Sequence, residues 1–182
     1  IQILENPNLS IKSAEKVLSQ ILREDGLNYN PTVRLTGIPQ DYTRSIRSIR
    51  NEDMGKLISI EGLVSITSNI TPRINIAHFI CCCGMSQDIE QTYLDEINSP
   101  SECGIFGGGC GRKKRDTTFE LVPILSTRID AQFITLQEAP NDVESCADSK
   151  RLTVISEGDL VNPDLGGKKV RISGVPFMQT TW

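Results

Sequence analysis

Cysteine is the residue of this 182-residue chain whose type and spacing point most directly to chemistry. Five of the six cysteines, Cys81, Cys82, Cys83, Cys103 and Cys110, fall between residues 75 and 118, together with six of the fourteen glycines. One residue separates Cys81 from Cys83, six separate Cys103 from Cys110, and about twenty lie between the two pairs. Four thiolates delivered by two loops surround a Zn²⁺ ion tetrahedrally, with bonds of roughly 2.3 Å. Glycine follows three of the four, as Gly84, Gly104 and Gly111. A metal-binding turn that wraps backbone N–H groups around sulfur needs tight, often left-handed conformations, which glycine adopts without strain.

Two other readings stand beside zinc. Free thiols pack as small hydrophobes, but these sit in the least hydrophobic segment of the chain. A disulfide framework needs an oxidising compartment, and no secretory pattern opens the sequence. Cys82 either points away from a metal held by its neighbours or takes the place of Cys81. Cys146, in an acidic loop, reads as a surface thiol, and His78, before Phe79 in an apolar strand, as a packed or exposed histidine rather than a ligand.

Little else suggests catalysis. "MGKL" and "GGKK" lack the upstream glycine and the hydroxyl of a phosphate-cradling loop. No G-x-S-x-G or H-E-x-x-H is present, and a single histidine leaves almost no material for imidazole acid–base work. The segment is expected to be no enzyme by itself. The net charge of -4 argues against a surface that grips nucleic acid everywhere. Charge is nevertheless segregated along the chain. Arg44, Arg47 and Arg50 lie close together, Arg112 to Arg115 are four consecutive cations, and acids gather at residues 88–96 and 142–148. No run of about 18 apolar residues suggests a membrane span.

The elements that must position these residues follow from periodicity. "LSIKSAEKVLSQILRE", residues 9–24, predicts an amphipathic helix with Ser10 or Ser13 as its cap and Gly26 beyond its end. Six strands are predicted at "TVRLTGI", "LISIEGLVSITS", "FELVPIL", "QFITLQEA", "RLTVIS" and "KKVRISGV". The segment 75–118 is too poor in large apolar residues to form its own core, so it needs a staple. The architecture read from these signals is a short helical piece, a small β-barrel of about five strands, and a cysteine-bearing insertion between two barrel strands.

Several stretches, in order, resemble one family. "IRNEDMGKLISIEGLVSITSNITPRI", "HFICCCG", "AQFITLQEAP", "GDLV" and "KKVRISGV" are similar to the N-terminal portion of minichromosome maintenance (MCM) replicative helicases, and more to the archaeal homohexameric type. The resemblance implies a mainly β fold with a small helical part: an OB-fold, a five-stranded Greek-key barrel, with an inserted zinc-binding subdomain and a preceding helical subdomain. Its boundaries are expected at 1–32 for the helical remainder, 33–74 with 119–182 for the OB-fold, and 75–118 for the zinc insertion. The chain, which starts at Ile1, reads as a fragment, with ATP and magnesium confined to a motor domain that follows. The expected location is the cytoplasm or nucleoid of an archaeon, or a eukaryotic nucleus.

The resemblance also implies partners and sites. These are DNA, mainly single-stranded, and further copies of the chain in a hexameric ring, a double ring or a filament. Arg73 and Arg128, with Arg47 third, are the DNA-binding candidates, and phosphate attraction should outweigh stacking because aromatics are only 5% of residues. Cys81, Cys83, Cys103 and Cys110 are the zinc ligands. The loop that starts at Glu138 and includes Asn141, Asp142 and Lys150 corresponds to one that touches the motor domain. Three departures stand out. The first cysteine pair is one residue shorter than the family's C-x-x-C-G, the second is four residues longer than C-x-x-C, and no basic hairpin follows "RISGV". A free-standing single-strand-binding OB module and a pure oligomerisation scaffold are the alternative readings.

Overall fold

The structure is a computed structural model that describes residues 2–29, 31–91, 96–104, 107–138 and 148–178. The chain divides into two compact units. One comprises residues 1–66, 135–153 and 165–182, and the other residues 67–134 and 154–164.

The first unit opens with a short helix α1 (Gln2–Glu5) and a longer α2 (Pro7–Glu24). α2 starts two residues before the predicted helix because Pro7 occupies the first turn, where a missing N–H is no loss. Ser13 is not its cap. Its hydroxyl donates back to the Leu9 carbonyl inside the helix. At the other end Gly26 has φ +78°, its N–H donates to the Arg23 carbonyl, and the Leu27 N–H reaches back to Leu22. This is a glycine-closed Schellman ending, and it stops the helix where the sequence placed the stop.

Strand β2 (Ile58–Thr67) is central to this unit. It pairs in parallel with the two-residue β1 (Thr43–Arg44) and antiparallel with β8 (Lys169–Gly174), Ile58 facing Gly174 and Leu63 facing Lys169. Ile46, Leu57, Ile58, Ile60, Val64 and Leu136 are buried. Gly62 is required by contact rather than by φ. A Cβ there would lie 3.1 Å from the Gln137 carbonyl oxygen and 3.3 Å from the Leu136 Cβ. The predicted strand at residues 32–38 does not form. Pro31 and Pro39 bracket it, Gly37 sits at φ +69°, and the Val33 N–H is taken by the Glu15 carboxylate.

The second unit is built around β3 (Thr71–Cys81). Three strands pair with it antiparallel: β4 (Ser86–Glu90), β5 (Phe119–Leu121) and the start of β6 (Thr127–Gln137). β7 (Arg151–Glu157) gives residues to both units, as β6 does. Ala77, Phe79, Cys81, Cys103, Ala131 and Ile134 are buried. The six predicted strands do not include β3 or β4, although the residues around Phe79 read as an apolar strand, because "TPRINIAHFIC" mixes polar and apolar residues irregularly and "SQDIE" has a single apolar side chain. β5 is shorter than "FELVPIL" because a turn, closed by the Leu125 N–H on the Val122 carbonyl, carries the chain through Pro123. Gln91, almost fully buried, is satisfied by Ile89, by Asn98 and through its own backbone by Asn75.

Gly62→Val should lower stability by roughly 1–3 kcal/mol through overpacking against β6. A shift of the urea midpoint to lower concentration checks it, and an unchanged midpoint contradicts the contact.

Candidate metal centre and nucleic-acid interface

The β3–β4 connection solves the spacing problem of the first cysteine pair. The Gly84 N–H donates to the Cys81 carbonyl and the Cys81 N–H to the Met85 carbonyl, with Gly84 at φ +88°. This is a hairpin turn closed by a left-handed glycine, in which Cys81 ends the strand while Cys82 and Cys83 occupy the turn. The turn lets two sulfurs one residue apart converge. Cys82 is exposed and its Sγ lies outside the four-sulfur group, although it reaches the same Thr117 hydroxyl as Cys81, at 3.0 Å.

The second pair comes from a short antiparallel knuckle. The Cys103 N–H donates to the Arg112 carbonyl, the Lys114 N–H to Ser101, and Glu102 pairs with Lys113. Gly111, at φ +67°, fits the expected left-handed role, whereas Gly104 does not adopt it. The most constrained glycine is one that the spacing argument passed over. A Cβ on Gly109 would come within 2.5 Å of the Cys103 sulfur and 2.3 Å of the Gly104 carbonyl oxygen. Only glycine lets the backbone pass so close to a ligand sulfur.

The sulfurs of Cys81, Cys83, Cys103 and Cys110 all lie within 4.8 Å of one another. Cys81 and Cys110 are 3.8 Å apart and Cys83 and Cys103 3.6 Å. A tetrahedron with metal–sulfur bonds of 2.3 Å has edges of about 3.8 Å. All four thiols are free, with no disulfide among them. The Cys83 backbone N–H and then the Thr117 hydroxyl hold Cys81 down to about 6, and the Met85 backbone N–H lowers Cys83. Burial pushes Cys103 up to about 12. The directions differ because hydrogen-bond donors stabilise the Cys81 thiolate, whereas burial disfavours that of Cys103. Thr117, 3.3 Å from the Cys81 sulfur, had no signal in the sequence. His78 stands apart from the cluster, its Nδ1 2.6 Å from the Asp88 carboxylate across the β3–β4 pair.

The arginines are placed differently. Arg73 and Arg128 sit on adjacent strands, but Arg73 faces Ile129 and Arg128 faces Ile74. Residues opposite one another share a face, so these two side chains leave the β3–β6 pair on opposite faces. Arg73 is mostly buried and paired with Glu157, at 2.6 Å from its Nη2, while its Nη1 donates to the Ile74 and Gln91 carbonyls. Arg128 is exposed and, among the described residues, donates to the Pro123 carbonyl alone. Arg47, in the first unit, makes a two-pronged pair with Glu138 at 2.9 Å on each prong.

Glu138 is the better-determined residue of that pair. It is 5% exposed, and its carboxylate also accepts the backbone N–H groups of Arg47 and Lys150. The Glu138 N–H in turn donates to the Lys150 carbonyl. Glu138 thereby ties the first residue of its loop to the last, while Asn141, Asp142 and Cys146 lie outside the described residues. Arg47, then the Lys150 N–H, hold the Glu138 carboxyl at about 2.

The loops of this mainly β chain bring four thiols to tetrahedral spacing, an arrangement compatible with a metal site. Residues 45–180 match the family model of the MCM OB domain. The chain is 32% identical over 146 residues to the minichromosome maintenance protein MCM of Saccharolobus solfataricus, covering 79% of this chain and 20% of that protein. It is 32% identical over 136 residues to the DNA replication licensing factor MCM4 of Drosophila melanogaster, covering 74% and 15%. The crystal structure of the N-terminal domain of an archaeal MCM superimposes with a TM-score of 0.74 at 28% identity, covering 96% of this chain and 68% of that one. The chain belongs to the MCM family and has the OB-type fold of its N-terminal domain. It spans at most about a fifth of these two relatives' lengths.

Two outcomes follow. Cys81→Ser should abolish stoichiometric metal binding while Cys82→Ser leaves it intact, as elemental analysis of both purified variants will show; the reverse result assigns the site to Cys82. The fold holds the Glu138 carboxyl at about 2, below its ordinary 4.5, so its stabilisation is complete above pH 4.5 and is lost as the pH falls towards 2. Glu138→Gln should therefore cost about 2–3 kcal/mol at neutral pH and flatten the acid limb of a pH–stability profile. A variant with the wild-type acid limb contradicts this account of the loop.

Proposed function

We propose that this chain is the non-catalytic N-terminal DNA-binding and ring-assembly part of a replicative DNA helicase. It binds single-stranded DNA, and duplex with less preference, without reading sequence. Membership of the MCM family across residues 45–180 is the observation that carries the proposal. The helical segment 1–32, the OB-fold of 33–74 with 119–182, and the cysteine-bearing insertion 75–118 are its working parts. Copies of the chain assemble as a homo-oligomeric ring, and ATP and magnesium act in the motor domain of the parent protein. Such a protein works in the cytoplasm of an archaeon or in a nucleus.

Zinc is the metal that suits the cluster. Four thiolates without oxygen or imidazole donors select a soft or borderline ion, and the tetrahedral sulfur spacing favours zinc over octahedral metals. With no open position left for water, it would fasten the hairpin turn to the knuckle rather than activate a substrate. The module so held supports contacts between copies. The loop from Glu138 to Lys150, closed at its base, is the segment that relays between DNA and the motor.

Among the arginine candidates, Arg128 is the best placed to meet phosphate, since it is exposed and, among the described residues, donates to a carbonyl rather than a carboxylate. Arg73 must first exchange its pair with Glu157, and Arg47 its pair with Glu138. Arg128→Ala should weaken single-strand binding several-fold at low salt and reduce the salt slope by about 0.7. Arg47→Ala should instead lower the melting temperature. Fluorescence anisotropy against salt, beside sedimentation with and without DNA, tests the proposal. A monomer with no affinity for DNA at low salt would overturn it.

A further inference from the structure

The knuckle that supplies Cys103 and Cys110 continues directly into Arg112, Lys113, Lys114 and Arg115, all exposed. This run is not a loose tail. The Arg112 carbonyl accepts from the Cys103 N–H, the Lys114 N–H donates to Ser101, and the Asp116 N–H to Lys113, each at 2.8–2.9 Å. A short one-turn helix (Lys114–Asp116) then leads the chain into β5. The cations are therefore carried on backbone fixed to the residue that delivers a buried sulfur.

Their charges are also available. Arg115 is paired with its neighbour Asp116. Among the described residues, Arg112, Lys113 and Lys114 have no carboxylate within ion-pair distance, although Glu102 lies opposite Lys113 in the knuckle. Lys113 sits in extended backbone at φ -76° and ψ 159° and Lys114 opens the one-turn helix, so the three exposed cations follow one another along a short stretch of fixed backbone. Three uncompensated cations at short, fixed spacing on a chain of net charge -4 form a strong local contrast. Such a ridge matches a polyanion with regularly spaced charges better than a single small anion, which needs convergent donors.

We propose that Arg112, Lys113 and Lys114 form a second nucleic-acid contact, a ridge that grips the phosphodiester backbone and is held in shape by the four-cysteine cluster. It rests on the DNA-binding reading above but uses residues outside the OB strands. The ridge contacts phosphates and no base edges, so it adds affinity and salt dependence without sequence preference. Its rigidity lowers the ordering cost of binding relative to three lysine-type side chains on a mobile loop.

The test compares wild type, Arg112→Gln/Lys113→Gln/Lys114→Gln and Arg128→Ala on a duplex and a single strand of equal length, by anisotropy from 50 to 200 mM salt. Loss of three phosphate contacts should make the duplex salt slope shallower by about 2–3 and weaken low-salt binding at least tenfold. The metal content of the triple variant should equal that of wild type. As a check independent of any variant, bound DNA should protect Lys113 and Lys114 of the wild-type protein from acetylation, read by mass spectrometry. An unchanged slope on both nucleic acids, or lysines equally reactive with and without DNA, overturns the ridge while leaving an Arg128-dependent affinity intact. A triple variant that loses self-association and keeps full DNA affinity overturns it in favour of an acidic protein partner. Wild type that binds neither nucleic acid brings down the DNA-binding reading itself.

Discussion

Four sulfur atoms held within 4.8 Å of one another are the constraint on which the second unit depends. Without a cation, such a cluster is poor chemistry. One sulfur is stabilised as thiolate by the Cys83 N–H and the Thr117 hydroxyl, and another is pushed by burial towards the neutral thiol. A divalent ion bound there would resolve that conflict, because it would favour all four thiolates at once. The knuckle has few large apolar side chains, so the cluster takes the place of a core there. The hairpin turn at Gly84, the close pass of Gly109 over the Cys103 sulfur, and the backbone hydrogen bonds that precede the cationic run all border this cluster.

The first unit is organised around a different polar device. Glu138 is buried with its carboxylate fully committed to Arg47 and to the Lys150 N–H. Removing one member of such a pair leaves the other without compensation, which makes the contact a strong determinant of local geometry. It fixes the two ends of one loop and the start of the segment after Ser45. This commitment also explains why an arginine that looks available in the sequence is not free to serve phosphate without a rearrangement. Arg73 is subject to the same limitation through Glu157.

The mainly β architecture, the long helix and the cysteine pairs were legible because each leaves a local signature. Leu18, Ile21 and Leu22 recur at helical spacing, Gly26 marks the stop, and C-x-C with C-x6-C points to four sulfurs gathered at one site. Of β3 only the apolar stretch around Phe79 was legible as a strand, since its earlier apolar positions are interrupted by Arg73 and Asn75. The stretch at 32–38 failed for the opposite reason. It alternates well but has Pro31, Gly37 and Pro39 around it, and its Val33 N–H is satisfied by a side chain. Thr117 belongs to the site only through a contact 36 residues along the chain, and the pairings of Arg47 and Arg73 span 91 and 84 residues. Residue type identifies such groups as possible contacts, while tertiary packing decides which of them are already engaged.

The central claim is that the hairpin turn selects Cys81 and Cys83, and the knuckle Cys103 and Cys110, as a complete set of ligands. X-ray absorption at the zinc edge of the purified protein tests it most directly. The account predicts four sulfur scatterers at about 2.3 Å and no light-atom ligand. A mixed shell with nitrogen or oxygen would contradict it, because one of the four cysteines would then be displaced by His78, a carboxylate or water.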